Sequence, residues 1–314
     1  MTNPFVFIVG CPRSGTTLLQ RMVNAHPDIA IIPEIWELPR YYENRDCVTP
    51  DGLVTPAFLH TLLEKGSFGR YTPLPMSRQE LEDIAASGRP IRYADLISLL
   101  FDRYGETTGK PFVGNKTVGN TLYVGTLHTL WPQAKIVHLI RDGRDVCLSA
   151  LSWRKAGKLA QRFVTWSEDS VTTAALWWEW HVRRGREAGS SLGSDVYYEL
   201  RYESLVARPA LESARLCAFL GVRYDDAMLR FHESRMRREP GLDAKHAWLP
   251  PTPGLRDWRS QMSDEDVERF EAVAGDLLDE LAYPRGADHV RAERLAHASR
   301  LRRLFEGRPL PARW

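Results

Sequence analysis

Apolar residues follow two rhythms along this chain. Phe5–Val9 is an unbroken, β-branched apolar run, the pattern of a strand covered on both faces. Ile29–Ile32 is a second apolar run, Lys135–Ile140 is another buried-strand candidate, Phe112–Thr117 reads as a short strand, and Val196–Leu200 adds a further one. Between the first two, Leu18, Leu19, Met22 and Val23 recur at helical spacing and stop at His26-Pro27-Asp28. Helices are also expected over Leu122–Trp131, from the turn at Arg141-Asp142-Gly143 through Ser149, and over Val171–Ala188. Another spans Pro209–Leu220 and closes on Gly221. The last core helix starts at Ser263, an N-cap followed by acids, and runs to Leu281. Residues 35–109 mix helix patterns with prolines and read as a mostly helical insertion over the sheet. Trp153–Ser170 is polar and basic, a candidate flap, and Pro240–Pro253 reads as loop. Strands alternating with helices predict one α/β domain over 1–314, in three layers with a central, mainly parallel sheet flanked by helices.

Composition narrows the function classes. With 43% hydrophobic and 26% charged residues, the chain has the make-up of a globular protein with a buried core. A formal net charge of +2 supplies no global field for nucleic acid or anionic lipid, so neither is expected as a partner. Cys11, Cys47, Cys147 and Cys217 are far apart and form no CxxC pair, which argues for reduced core thiols rather than a zinc site or disulfide frame. No segment reaches the ~18 apolar residues of a membrane span, and no basic leader precedes Phe5. A cytoplasmic protein is expected. The tail at about 285–314 is arginine-rich and reads as a helix with Leu295, Ala298, Leu301 and Phe305 facing the body. The Trp177, Trp178 and Trp180 cluster reads as core packing, and His26 as a helix-end residue.

The sharpest chemistry lies in Gly10–Thr17, directly after the first strand. It has the GxxxxG spacing of a P-loop-type phosphate cradle: the glycines turn backbone N–H groups inward and the next helix aims its positive end at the anion. Arg13, Ser14, Gly15, Thr16 and Thr17 are the candidate binding residues. A nucleoside-triphosphate loop would carry lysine where Thr16 stands. Here the cation is Arg13, inside the loop, which suits a compact 5′-phosphate group.

The run PRSGTTLLQRMVNAHPD, with Pro33-Glu34 beyond it, resembles the 5′-phosphosulfate loop of the sulfotransferase family, and is most similar to bacterial and protein-tyrosine sulfotransferases. The resemblance implies 3′-phosphoadenosine 5′-phosphosulfate (PAPS) as donor, adenosine 3′,5′-bisphosphate (PAP) as product, and no metal. It makes Arg141 and Ser149, eight apart, the grip on the 3′-phosphate; an arginine fork and a hydroxyl suit that anion. Tyr202 matches the tyrosine beside the adenine. Lys116, in Asn115-Lys116-Thr117, resembles the lysine that bears on the transferring sulfate, whereas the histidine base of the cytosolic enzymes is replaced by Val118. Glu34 matches the base of the protein-tyrosine enzymes, with Glu37 in reserve. The segment Pro253–Ser263 resembles the end of a C-terminal loop that closes on the 3′-phosphate. Its usual Arg-Lys-Gly run is absent, and Lys245 and Arg256 are the candidate substitutes.

The expected reaction is in-line transfer of a sulfuryl group to an acceptor hydroxyl, driven by positioning and charge stabilisation as in phosphoryl transfer. A small or soluble acceptor is favoured; its identity and the oligomeric state stay open. The alternatives are a P-loop kinase or nucleotide hydrolase, and a non-catalytic nucleotide-binding relative.

Overall fold

The computed structural model describes residues 4–35, 38–67, 72–153, 162–233 and 249–307. Five apolar segments pair as strands: β1 (Val6–Val9), β2 (Ile29–Pro33), β3 (Phe112–Lys116), β4 (Lys135–Ile140) and β5 (Tyr197–Arg201). They form one sheet in the order β2-β3-β1-β4-β5, and every neighbouring pair is parallel.

Period-two alternation explains the layers. Phe7 and Val9 of β1 pack into one buried cluster with Ile32, Ile136 and the helices α5 (Tyr93–Thr108) and α6 (Val124–Leu130). Val6 and Ile8 point the other way, onto Leu19, Met22 and Val23 of α1 (Thr16–Asn24) and Leu216 and Leu220 of α10 (Pro209–Leu220). Helices therefore cover both faces, and the buried β1 and β2 read as continuous apolar runs because neither of their faces meets water, whereas the edge strand β5 is partly exposed at Glu199.

Between β2 and β3 the chain passes through α2 (Leu38–Glu43), α3 (Pro56–Lys65), α4 (Arg78–Ala86) and α5. After β4 come α7 (Gly143–Leu151) and α8 (Ser170–Ser190). After β5 come α9 (Tyr202–Ala207), α10, α11 (Trp258–Gln261), α12 (Asp264–Glu280) and α13 (Ala292–Glu306). Ser263 caps α12 by accepting the Asp266 N–H at 3.2 Å, and Gly221 closes α10 at φ 74°.

Several expectations change. The helix expected over Leu122–Trp131 is a 3₁₀ segment, Val118–Tyr123, followed by the shorter α6. Leu295 faces solvent at 47% exposure, while Ala298 and Leu301 are buried: α13 docks through Arg291–Glu268, Arg302–Glu179 and His297–Asp169 pairs, and these set its rotation. Of the expected flap at Trp153–Ser170, residues 154–161 lie outside the described residues, and its second half is a 3₁₀ turn, Val164–Ser167, with Thr165 buried; most of the expected loop at Pro240–Pro253 lies outside the described residues, as do Glu37 and Lys245. Trp177 and Trp178 are core residues, and all four cysteines are buried, unpaired thiols. Among the described residues no helix is long and apolar enough to cross a membrane.

Candidate active site

Parallel strands bring all their carboxyl ends to one rim, where ligands of such sheets gather. Glu34 follows β2, Lys116 ends β3, the Gly10–Gly15 loop follows β1, Arg141 follows β4 and Tyr202 follows β5. The described candidate residues thus sit on this rim or, for Thr16, Thr17 and Ser149, on the helices leaving it.

The loop after β1 is held from both ends. The Gly10 N–H donates to Thr121 Oγ1 at 2.7 Å in a buried contact. Ser14 N–H donates to Cys11 O at 3.1 Å. Gly15 is the N-cap of α1 at φ 93°, with no side chain to engage the helix's first N–H groups. A Cβ on Gly15 would lie 2.5 Å from the Tyr202 ring, so this glycine is required by space as well as by conformation. Arg13 is also left-handed, at φ 77°, a backbone state that costs a non-glycine residue on the order of 1–3 kcal/mol and clusters at functional sites.

Arg13 reaches across to the second predicted grip. Its Nε donates to Ser149 Oγ at 3.0 Å, and its guanidinium lies 5.5 Å from the centroid of the Trp153 ring. Burial, together with the nearby Arg256 and Arg141 charges, lowers the Arg13 pKa from its usual value. Arg141 stacks over Tyr202 at 4.3 Å and donates from Nη2 to Asp145 Oδ2 at 3.3 Å. Its carbonyl accepts the Trp178 indole N–H at 3.1 Å. Next in sequence, the Asp142 N–H donates to Glu203 at 2.9 Å. The strand end is therefore fixed by its backbone, and its side chain is held by Asp145 and Tyr202.

Two buried polar atoms here have no hydrogen-bond partner among the described residues: Ser14 Oγ and Arg141 Nε. Buried donors are normally satisfied, and these two, beside the Arg13, Arg141 and Arg256 cations, match the donor set a bisphosphorylated ligand requires.

On the other side of β1, Lys116 and Glu34 form an ion pair through Nζ and Oε1. The Lys116 side chain is 4% exposed and that of Glu34 37%. The Glu34 N–H donates to Lys116 O at 2.9 Å, extending the β2–β3 ladder by one bond. Glu34 then turns out of the sheet at φ 29°. Asn115 and Thr117 brace the same junction, donating to Ile32 O at 3.0 Å and Ile35 O at 3.2 Å.

Sequence reasoning missed three contributors. Thr121 anchors the loop from 111 residues away, a contact with no sequence signal. Trp153 flanks Arg13 from just past the end of α7. Asp145 touches both Arg141 and the Trp258 N–H; its place in Arg141-Asp142-Gly143-Arg144-Asp145 was the available clue. Of the two candidate substitutes in the C-terminal loop, Arg256 donates to Ser152 Oγ at 2.7 Å, beside this cluster.

Comparison with known proteins gives a consistent picture. The profile of the Sulfotransferase family matches residues 4–226. Protein-tyrosine sulfotransferase A of Caenorhabditis elegans is 25% identical over 244 residues, covering 77% of this chain and 56% of that protein. Nodulation protein NoeE of Sinorhizobium fredii is 25% identical over 340 residues, covering 96% and 72%. The chain thus spans little more than half the length of the first of these. Among solved structures, the sulfotransferase domain of the Synechococcus PCC 7002 olefin synthase superposes with a TM-score of 0.55 at 21% identity, covering 98% of this chain and 96% of that one. This is a likeness of fold.

Proposed function

The chain belongs to the sulfotransferase family, and we propose that it moves a sulfuryl group from PAPS to the hydroxyl of a small or soluble acceptor. The observation that carries this reading is the Arg13–Ser149 contact at 3.0 Å. It joins a phosphate cradle to a second anion grip, so one ligand with phosphates on both sides of its ribose can engage both. A nucleoside triphosphate has no use for the second grip.

In this reading the loop N–H groups, Arg13, Ser14, Thr16 and Thr17 hold the 5′ end of the donor, Arg141 and Ser149 hold its 3′-phosphate, and Tyr202 borders the base. When bound, the donor supplies an electron-poor sulfuryl group and a 5′-phosphate leaving group. Arg13 and the helix N-terminus stabilise charge growing on that leaving oxygen, where preorganised donors are most effective. Lys116, nearly buried, directs its positive charge to the same rim. Glu34 Oε2, the oxygen its Lys116 pair leaves free, accepts the acceptor's proton.

Calorimetric titration of the full chain, without metal, tests the reading. PAP should bind and ADP should bind far more weakly. Equal binding, or ADP binding that needs Mg²⁺, would favour a kinase or hydrolase. With labelled donor and an acceptor screen, Glu34→Gln should lower turnover about 10²–10⁴-fold while PAP affinity stays within a factor of two or so, since Glu34 lies outside the phosphate grips. Retained turnover would remove Glu34 from this role.

A further inference from the structure

Asp145 lies on the first turn of α7 and is buried, and its two oxygens serve different parts of the molecule. Oδ2 accepts from Arg141 Nη2 at 3.3 Å. Oδ1 accepts the Trp258 N–H at 2.9 Å. The Trp258 ring is in turn covered by the Arg144 guanidinium at 3.6 Å from its centroid, and Arg256 donates to Ser152 at the end of α7. One carboxylate therefore stands between the anion-site arginine and the segment docked behind it.

We propose that Asp145 is a positioning residue that holds Arg141 ready for the nucleotide's phosphate and takes up one proton when that phosphate seats. The proposal rests on the nucleotide-site reading above. The groups facing Asp145 are the Arg141 guanidinium, the Asp142 carboxylate, the Tyr202 phenol and the Trp258 amide. Arg141 alone among these favours the ionised carboxylate by its charge. A phosphate on Arg141 competes for that guanidinium and adds negative charge beside it, and both effects favour the neutral acid. Arg141 Nε, buried and without a partner among the described residues, is a donor suited to such an acceptor. The proton comes from solvent and settles on Oδ2, while Oδ1 keeps the Trp258 N–H. The free protein is already poised for this: burial raises the Asp145 pKa to about 6, against the opposing pull of Arg141.

The sign comes from linkage. Binding that takes up a proton strengthens as pH falls, by at most about tenfold per pH unit for one proton. The test is calorimetry of the full chain with PAP between pH 6 and 8, in buffers of different ionisation enthalpy, for wild type, Asp145→Asn and Asp145→Ala. Titration of the ligand's own phosphates is common to all three and cancels in the differences. Wild type should take up a larger fraction of a proton than Asp145→Asn and show the steeper pH dependence. Asp145→Asn keeps an oxygen for the Trp258 N–H, so hydrogen exchange at 256–261 should stay slow there and quicken in Asp145→Ala. Equal proton uptake and equal slopes in wild type and Asp145→Asn would overturn the proposal. If neither variant folds, the infrared difference spectrum of wild type on PAP addition decides: a new protonated-carboxyl band at pH 7 supports it, and no band overturns it. Failure of wild type to bind PAP at all would instead sink the nucleotide-site reading.

Discussion

Gly15 and Tyr202 meet at the narrowest point of the candidate site. Gly15→Ala places a methyl 2.5 Å from the Tyr202 ring on a backbone at φ 93°, so the ring, the loop or both must move. The expected result is PAP binding weakened beyond calorimetric detection with the sheet still folded by circular dichroism. Arg141→Ala should weaken PAP by roughly ten- to a hundredfold, the effect of about 1.5–3 kcal/mol for a charge-assisted hydrogen bond; Ser149→Ala should cost about 1 kcal/mol, some fivefold. A competition assay that ranks the two the other way would shift the grip from the arginine to the hydroxyl. Arg13, Arg141 and Ser149 could be named as candidates because each lies within a short local motif. Thr121 and Asp145 were not, because what matters about them is a neighbour supplied by the fold.

At the scale of elements, β1 and β2 could be read directly, since a segment buried on both faces leaves an unbroken apolar run. The segments just past the strand ends were less legible. Tyr202–Ala207 forms α9 immediately after β5, hidden by its short length, and Val118–Tyr123 winds as a 3₁₀ segment that delivers Thr121 to Gly10. The apolar stripe holds at Ala298, Leu301 and Phe305, which stacks on Phe163, while ion pairs at the start of α13 leave Leu295 in solvent. The turn into α7 depends on another buried charge. Arg144 is fully buried, donates to Asp142 at 2.7 and 3.0 Å and to Glu271 at 2.7 Å, and stacks on Trp258. Arg144→Met strands two carboxylates and should cost about 3–5 kcal/mol. A loss under about 1 kcal/mol in urea unfolding would mean that water reaches and solvates them.

For the whole molecule, acid is the expected weakness. His138 on β4 and His181 on the inner side of α8 are fully buried, and burial lowers their pKa values to about 3 and about 4. The unfolded chain binds protons at both near pH 6.5 while the folded chain does not, so their contribution is complete above that pH and is lost as pH falls towards 3–4. Asp145, with a raised pKa, has the opposite sign: its burdened carboxylate costs stability as pH rises through about 4–6. Two histidines outweigh one aspartate, so stability should drop on acidification below about pH 6.5, and His138→Gln should flatten that slope. Urea melts at about pH 4.5 and 7 would show it; an unchanged slope in the variant would assign the effect elsewhere.

The strand order has a further consequence. β2 is the outer strand beside β3, and the chain leaves the sheet just past Glu34, runs through α2–α5, and returns in β3 at Phe112. Arg13, Arg141, Ser149 and Tyr202 belong to β1, β4, β5 and the turns and helix that leave them. Under the proposed function, the stretch between β2 and β3 is then free to recognise the hydroxyl partner apart from the donor grips. Grafting a relative's stretch between β2 and β3 into this chain should redirect what is sulfated and leave the grip on PAP almost untouched.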